Sequence, residues 1–274
     1  MKLSLSVRIV ESSCKTKLLL PFEEFVTIAK ETGYDAVCMR ASAGGVDTKS
    51  SKLAHMKQVV HDNGLQVSMV TADFDVPLNN AKGPQSLRQI GPSLDVAQAL
   101  NCDLIRVCLK QTADIVKAQQ AADEAAKRGI RLAHQCHTSS LFEQVAPMLE
   151  VLAKIGRPNF GLIYEPANLM LCGEPYGREV LSQLAPHLMN AYVQNHRLDT
   201  EGPEMLPTYC KGKVRYHHLN PWESGGIDLG EVFSGLHHAG YNSYFTIHQA
   251  QTIETATTAR NFATRCAQLM RRWM

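Results

Sequence analysis

Short β-branched runs alternate with longer amphipathic runs from one end of the chain to the other. The strand candidates are LSLSVRI at 3–9, DAVCMR at 35–40, QVSMVT at 66–71, LIRVCL at 104–109, IRLAHQC at 130–136, FGLIYE at 160–165, NAYVQNH at 190–196 and YFTIHQ at 244–249. Between them, helical spacing of apolar positions predicts helices over 22–33, 53–64, 87–101, 113–129 and 141–156. Gly33, Gly64, Gly129 and Gly156 close four of these, at the place where a helix C-terminus favours glycine. Eight units in 274 residues predict a parallel α/β sheet closed into a (β/α)8 TIM barrel, with residues 1–274 as a single domain. No G-x-G-x-x-G follows the first strand, as an open dinucleotide-binding sheet would require. The irregular stretch 199–227 is too long for a simple connection and is expected to lie over the barrel mouth as a lid.

Composition narrows the classes without choosing among them. Hydrophobic residues make up 45% and charged residues 20%, enough apolar side chain for a large core. The net charge of +2, with no dense basic run beyond KGKVR at 211–215, gives no nucleic-acid footprint. No run of about 18 apolar residues occurs, so no membrane partner is expected. Arg8 and Glu11 interrupt the first apolar segment, which argues for a cytoplasmic protein. The eight cysteines are scattered without a C-x-x-C pair and read as reduced, buried thiols.

In a barrel of this kind chemistry gathers at the C-terminal ends of the strands. Those ends carry Arg8, Arg40, Arg106 and Lys110, with Asp73 and Asp75 after the third strand. The fifth ends in His134, Gln135 and His137, and the sixth in Glu165 with Asn168 beyond. Gln194, Asn195 and His196 end the seventh, His248 and Gln249 the eighth. His134 has the opposite strand parity to Gln135 and is expected to face the helices. The arginines suit a phosphate or carboxylate. Trp222, with His217 and His218, lies in the expected lid, where an aromatic ring can stack on a sugar. His237 and His238 fall on a helix and are expected at the surface.

The phrases RLAHQCH, GLIYEPANLMLCGEPY, YVQNHRLD and GGIDLGEVFSGLHHAGYNSYFTIHQ resemble the sugar phosphate isomerase/epimerase superfamily, whose barrel is xylose isomerase-like and which includes the family-2 AP endonucleases. The resemblance runs over nearly the whole chain and implies a divalent-metal site at the barrel mouth. Carried onto this sequence it places Gln135, Glu165, His196 and His248 at the metal positions, with Asp199 completing the seventh-strand motif. Only His196 is the residue type the family uses; Glu165 stands for an aspartate, and Gln135 and His248 stand for two glutamates. Two imidazoles and one carboxylate suit Zn, Mn, Fe or Co better than Mg.

The missing glutamate pair removes the two titratable groups that would pass a proton across both faces of an enediolate. His248, with His196, is left as the catalytic candidate, and His137, Asn168, Arg8, Arg40, Arg106 and Trp222 as substrate contacts. The resemblance then implies a metal-dependent isomerase or epimerase acting on a small keto-sugar or polyol. A related lyase or dehydratase, and a sugar-binding barrel without turnover, stand as alternatives. A repair nuclease would need more metal ligands than this chain offers, including one where Asn168 stands. Homo-oligomerisation is left open.

Overall fold

The computed structural model describes residues 1–74 and 82–274, and Asp75 therefore lies outside the described residues. Seven parallel strands come first: β1 (Lys2–Ser6), β2 (Ala36–Met39), β3 (Gln66–Thr71), β4 (Leu104–Val107), β5 (Arg131–Gln135), β6 (Phe160–Tyr164) and β7 (Leu188–Val193). The chain then makes β8 (Asn195–Leu198), β9 (Glu204–Thr208) and β10 (Gly212–Leu219) before returning to the barrel as β11 (Tyr244–Ile247). β11 pairs with β1 on one side and β7 on the other, which closes an eight-stranded parallel barrel. The expected (β/α)8 fold is the observed one.

Around it lie α1 (Phe22–Glu31), α2 (Ser50–Asp62), α3 (Gln85–Arg88), α4 (Gly91–Ala99), α5 (Asp114–Ala126), α6 (Val145–Ile155), α7 (Pro166–Leu171), α8 (Arg178–Leu184), α9 (Leu229–His238) and α10 (Ala256–Arg271). The helix expected over 87–101 is divided into α3 and α4. Pro92 has no N–H to donate and its ring clashes with the carbonyl four residues back, so the helix restarts at Gly91. Gly156, at φ 56, terminates α6 in the left-handed region.

Two apolar layers hold the barrel. The outer layer packs strands against helices through residues such as Leu3, Leu5, Phe25, Val107, Leu132, Tyr164 and Phe245, all fully or almost fully buried. The interior layer is Cys38, Met69, Leu104, Ala133, Ile163 and Tyr192, one from each of β2 to β7. Polar side chains inside the barrel pair with each other: Ser4 with Ser68 at 2.7 Å, and Thr246 donating to Asn190 at 3.1 Å. No helix among the described residues is long and apolar enough to cross a membrane.

The seventh expected strand is broken. β7 ends at Val193, and the Asn195 N–H donates to the Gln249 side chain at 3.0 Å instead of to a neighbouring barrel strand. The stretch expected to be irregular is in large part an antiparallel sheet in the order β8-β10-β9. His196 therefore belongs to this upper sheet rather than to a barrel strand.

Candidate functional site

A cavity of about 370 Å³ opens at the C-terminal ends of the strands. Its barrel side is formed by Arg8, Arg40, Arg106, Gln135, His137, Asn168, Gln194 and His248. Glu204, Leu206, Tyr216, His196 and His218 cover it from the upper sheet, as expected of a lid. Lys15 and Ala250 complete the wall. A second hollow of about 300 Å³ adjoins it through Lys15 and Arg40, and includes Thr71, Asp73 and Phe74.

The arginines differ in their surroundings. Glu11, 1% exposed, accepts from Arg8 at 2.8 Å and from Arg40 at 2.9 Å, while the Ser42 hydroxyl donates to it at 2.6 Å. Burial alone would raise the Glu11 pKa, but Arg40, Ser42 and Arg8 together bring it below the ordinary carboxylate value. Arg106 pairs with no carboxylate among the described residues. It is 3% exposed, its guanidinium lies 5.6 Å from the Phe74 ring centre, and its Nε–H is buried without an acceptor. Burial and the Arg8 and Arg40 charges lower the neighbouring Lys15 ammonium to about 8.

His248 is wedged rather than mobile. Its ring stacks on Tyr192 at 3.9 Å and its Nδ1 lies 3.0 Å from the Ser6 hydroxyl. Burial, followed by Arg40, Arg106 and Arg8, holds its pKa well below the usual histidine value, so the ring is neutral at pH 7. In the tautomer that donates Nδ1–H to Ser6, Nε2 keeps its lone pair for the cavity. His196 lies 4.6 Å from the Tyr216 ring and 5.0 Å from His218, and burial and the His218 charge take its pKa down to about 3. His137 is neutral for the same reason, burial first and then Arg106, and its Nδ1–H donates to the Thr138 carbonyl at 2.8 Å. Asn168 donates to the Cys136 carbonyl at 2.9 Å.

Glu165 does not reach the cavity wall. It is fully buried at the start of α7, where it accepts from the Ala167 N–H at 3.4 Å, and it meets the cavity only through Gln194, whose amide donates to it at 3.2 Å. Burial raises its pKa to about 8, against the opposing hydrogen bond from Gln194. Trp222 also lies away from the mouth. It packs on Phe262 at 5.4 Å and beneath Arg265 at 4.1 Å, because the chain after β10 turns down towards α10. His217 pairs with Asp199 at 2.9 Å within the upper sheet. His134 stacks on Phe142, on the helical side of β5.

A metal ion needs several donor atoms around one point, about 2 Å from each. Glu165, His196 and His248 do not bring their donor atoms within 4.8 Å of one another. Gln135 Oε1 and His196 Nδ1 are buried without partners and would accept a cation, but the Arg106 Nε–H, buried without an acceptor at the same mouth, would not. With Arg8, Lys15 and Arg40 on the same wall, this donor set does not fit a divalent ion. Among the described residues the one group with metal-like spacing is Glu143, Cys172 and Cys210, brought together from distant sequence positions. Both Glu143 oxygens there already accept backbone N–H groups, from Ser139, Tyr209 and Cys210.

Sequence comparison matches residues 26–263 to the xylose isomerase-like TIM barrel family, and the chain belongs to that family. No curated protein matches it by sequence. Among solved structures, the probable 3-DHS dehydratase AsbF of Bacillus anthracis superposes with a TM-score of 0.73 at 13% identity, covering 99% of each chain. D-allulose 3-epimerase from Methylomonas sp. gives 0.72 at 12% identity, covering 100% of this chain and 98% of the other, and is also known in complex with D-allulose. The IOLI protein, solved with a bound zinc atom, gives 0.72 at 15% identity, covering 100% and 99%. Identities this low carry the fold and leave the reaction to the site itself.

Sequence reasoning passed over Glu11, Lys15, Glu204 and Tyr216. Glu11 had a local signal, three residues after Arg8; the other three come from loop and upper-sheet positions that no strand-end rule inspects.

Proposed function

We propose that the chain, acting as one domain, is an isomerase of small polyhydroxylated carbonyl compounds bound at the barrel mouth. The observation that carries this is His248: a neutral, rigidly held imidazole at a strand end, facing the cavity among cationic side chains. Nε2 takes the proton from the carbon beside the carbonyl, and the C–H electrons move into the C–C bond as the carbonyl oxygen becomes an enediolate oxygen. The proton then returns on the same face to the former carbonyl carbon, while the hydroxyl proton of the neighbouring oxygen passes to the enediolate oxygen and that neighbouring oxygen becomes the new carbonyl, which completes an aldose–ketose exchange with one carbon base. An epimerisation needs a second group on the opposite face, and Gln135 cannot titrate. Loss of a β-hydroxyl from the same enediolate would give the dehydratase alternative. Arg8, Arg40, Arg106, His137 and Asn168 are proposed to hold the substrate, with His196 closing over it from the upper sheet.

The test is incorporation of solvent deuterium into a panel of keto-sugars and sugar acids, followed by NMR. Wild type should exchange one carbon-bound proton in at least one substrate, and His248→Gln should slow it by about 100-fold or more. Exchange that survives in His248→Gln, or a panel with no exchange at all, would overturn the reading.

A further inference from the structure

We propose that the mouth is built for an anionic ligand and that Arg106, a permanent cation, takes over the charge-stabilising role that a divalent ion holds in a metal-dependent barrel. The inference names the substrate class for the site proposed above and so rests on that reading, but it is tested by binding alone.

Three facts converge on it. Among the described residues, the guanidinium groups of Arg8, Arg40 and Arg106 meet at this mouth with one buried carboxylate between them, Glu11, which Arg8 and Arg40 share. Glu11 is committed to Arg8 and Arg40, so the buried guanidinium of Arg106 is left without a counter-ion among the described residues. A buried, unpaired charge is costly to keep and persists in proteins mainly where a ligand supplies the missing partner. The third fact is the mixed sign of the orphaned atoms. Arg106 Nε–H needs an acceptor and Gln135 Oε1 needs a donor, and both are buried at the same mouth. A metal ion would satisfy the amide oxygen and repel the guanidinium. A carboxylate or phosphate that also bears hydroxyl groups satisfies both, its oxygens accepting from Arg106 and a hydroxyl donating to Gln135.

The chemistry is thus that of a sugar acid or a sugar phosphate. A planar carboxylate matches the guanidinium fork, and a phosphate matches its charge.

The experiment measures thermal stabilisation and calorimetric binding of oxalate, inorganic phosphate and neutral erythritol at constant ionic strength set with a bulky monovalent anion in place of chloride. Wild type should be stabilised by at least one of the two anions and not by erythritol. The stronger of the two identifies the head group. Arg106→Met should fold, since it replaces an unpaired buried charge with an apolar chain of similar length, and should lose anion binding by about tenfold or more. Arg106→Lys keeps the charge without the fork and should weaken oxalate more than phosphate; it is the readout if the methionine variant does not fold. Zn²⁺ and Mn²⁺ titrated into Cys172→Ser, which removes the remote cysteine group, should show no stoichiometric binding. Wild type indifferent to both anions, undiminished binding in both Arg106 variants, or a metal isotherm abolished by Glu165→Gln would each overturn the proposal. Anion binding without any proton exchange would overturn the isomerase reading and leave this one standing.

Discussion

Glu165 and Arg106 both carry the cost of burial at the mouth, and they respond to it differently. A guanidinium cannot shed its charge, whereas a carboxyl can take up a proton. With its pKa raised from 4.5 to about 8, folded Glu165 binds a proton that the unfolded chain has already lost. Its contribution to stability is therefore present near pH 5 and is lost as pH rises through 8. Below pH 6.5 the depressed histidines, His196 among them, act in the opposite sense, so the clean window is pH 6.5 to 9. Over that window the stability of wild type should fall by about 2 kcal/mol more than that of Glu165→Gln, as 1.4 kcal/mol per proton and pH unit requires. Equal slopes in paired denaturation series would show that Glu165 is ionised in the folded protein. Glu11 makes the contrasting case. Glu11→Gln leaves Arg8 and Arg40 without their shared carboxylate and should cost about 3 kcal/mol, measured by urea unfolding. The sequence offered Arg8, Arg40 and Arg106 as equals, because spacing along a strand says nothing about which acid lies beside which arginine.

At the scale of elements, the upper sheet is what separates this mouth from a bare barrel end. Asn195 and Glu143 are among the side chains that tie it down. Asn195 donates to the carbonyls of Asn220 and Glu223, both at 2.9 Å, and accepts from the Ile227 N–H at 2.9 Å, which fixes the descent from β10 to α9. Glu143 accepts from Tyr209 and Cys210 at the β9–β10 turn and joins that turn to the loop after β5. Asn195→Ala should destabilise the protein by about 3 kcal/mol, three hydrogen bonds at about 1 kcal/mol each. Glu143→Gln should do so by a similar amount and raise amide hydrogen exchange at Tyr209 and Cys210 above that of the barrel strands. Uniform protection across turn and barrel in that variant would refute the clamp. The run 199–227 was visible in the sequence as a long connection over the mouth. Its pairing was not, because β9 and β10 find their partners in each other and in β8 rather than in any periodic core face.

For the molecule as a whole, the cationic excess at the mouth belongs to a protein of formal net charge +2. The guanidinium left without a partner among the described residues lies at the mouth, so attraction of an anion is local rather than a property of the whole surface. Salt should therefore weaken oxyanion binding chiefly by chloride occupying the mouth, with a smaller effect from screening beyond the Debye length of about 10 Å at 0.1 M. Replacing chloride by a bulkier monovalent anion at equal ionic strength should restore much of the affinity in calorimetric titrations, and no recovery would mark long-range screening as the dominant effect.

The alternation of strand and helix periods by itself determined the closed barrel, because each period dictates which face of an element is apolar and eight such units can bury those faces only against one another. It also placed Gln135, His137, Asn168, His248 and the three arginines at one end, since a parallel strand sends its last residues to the same mouth. The tertiary structure alone decided how those residues relate. It lifted His196 onto the upper sheet, sealed Glu165 behind Gln194, turned Trp222 down onto Phe262, and gave Glu11 to two arginines while leaving the third without a carboxylate among the described residues. Those outcomes depend on distances between side chains remote in sequence, and hydrogen bonding, desolvation and charge pairing change over a few ångströms that no local pattern encodes.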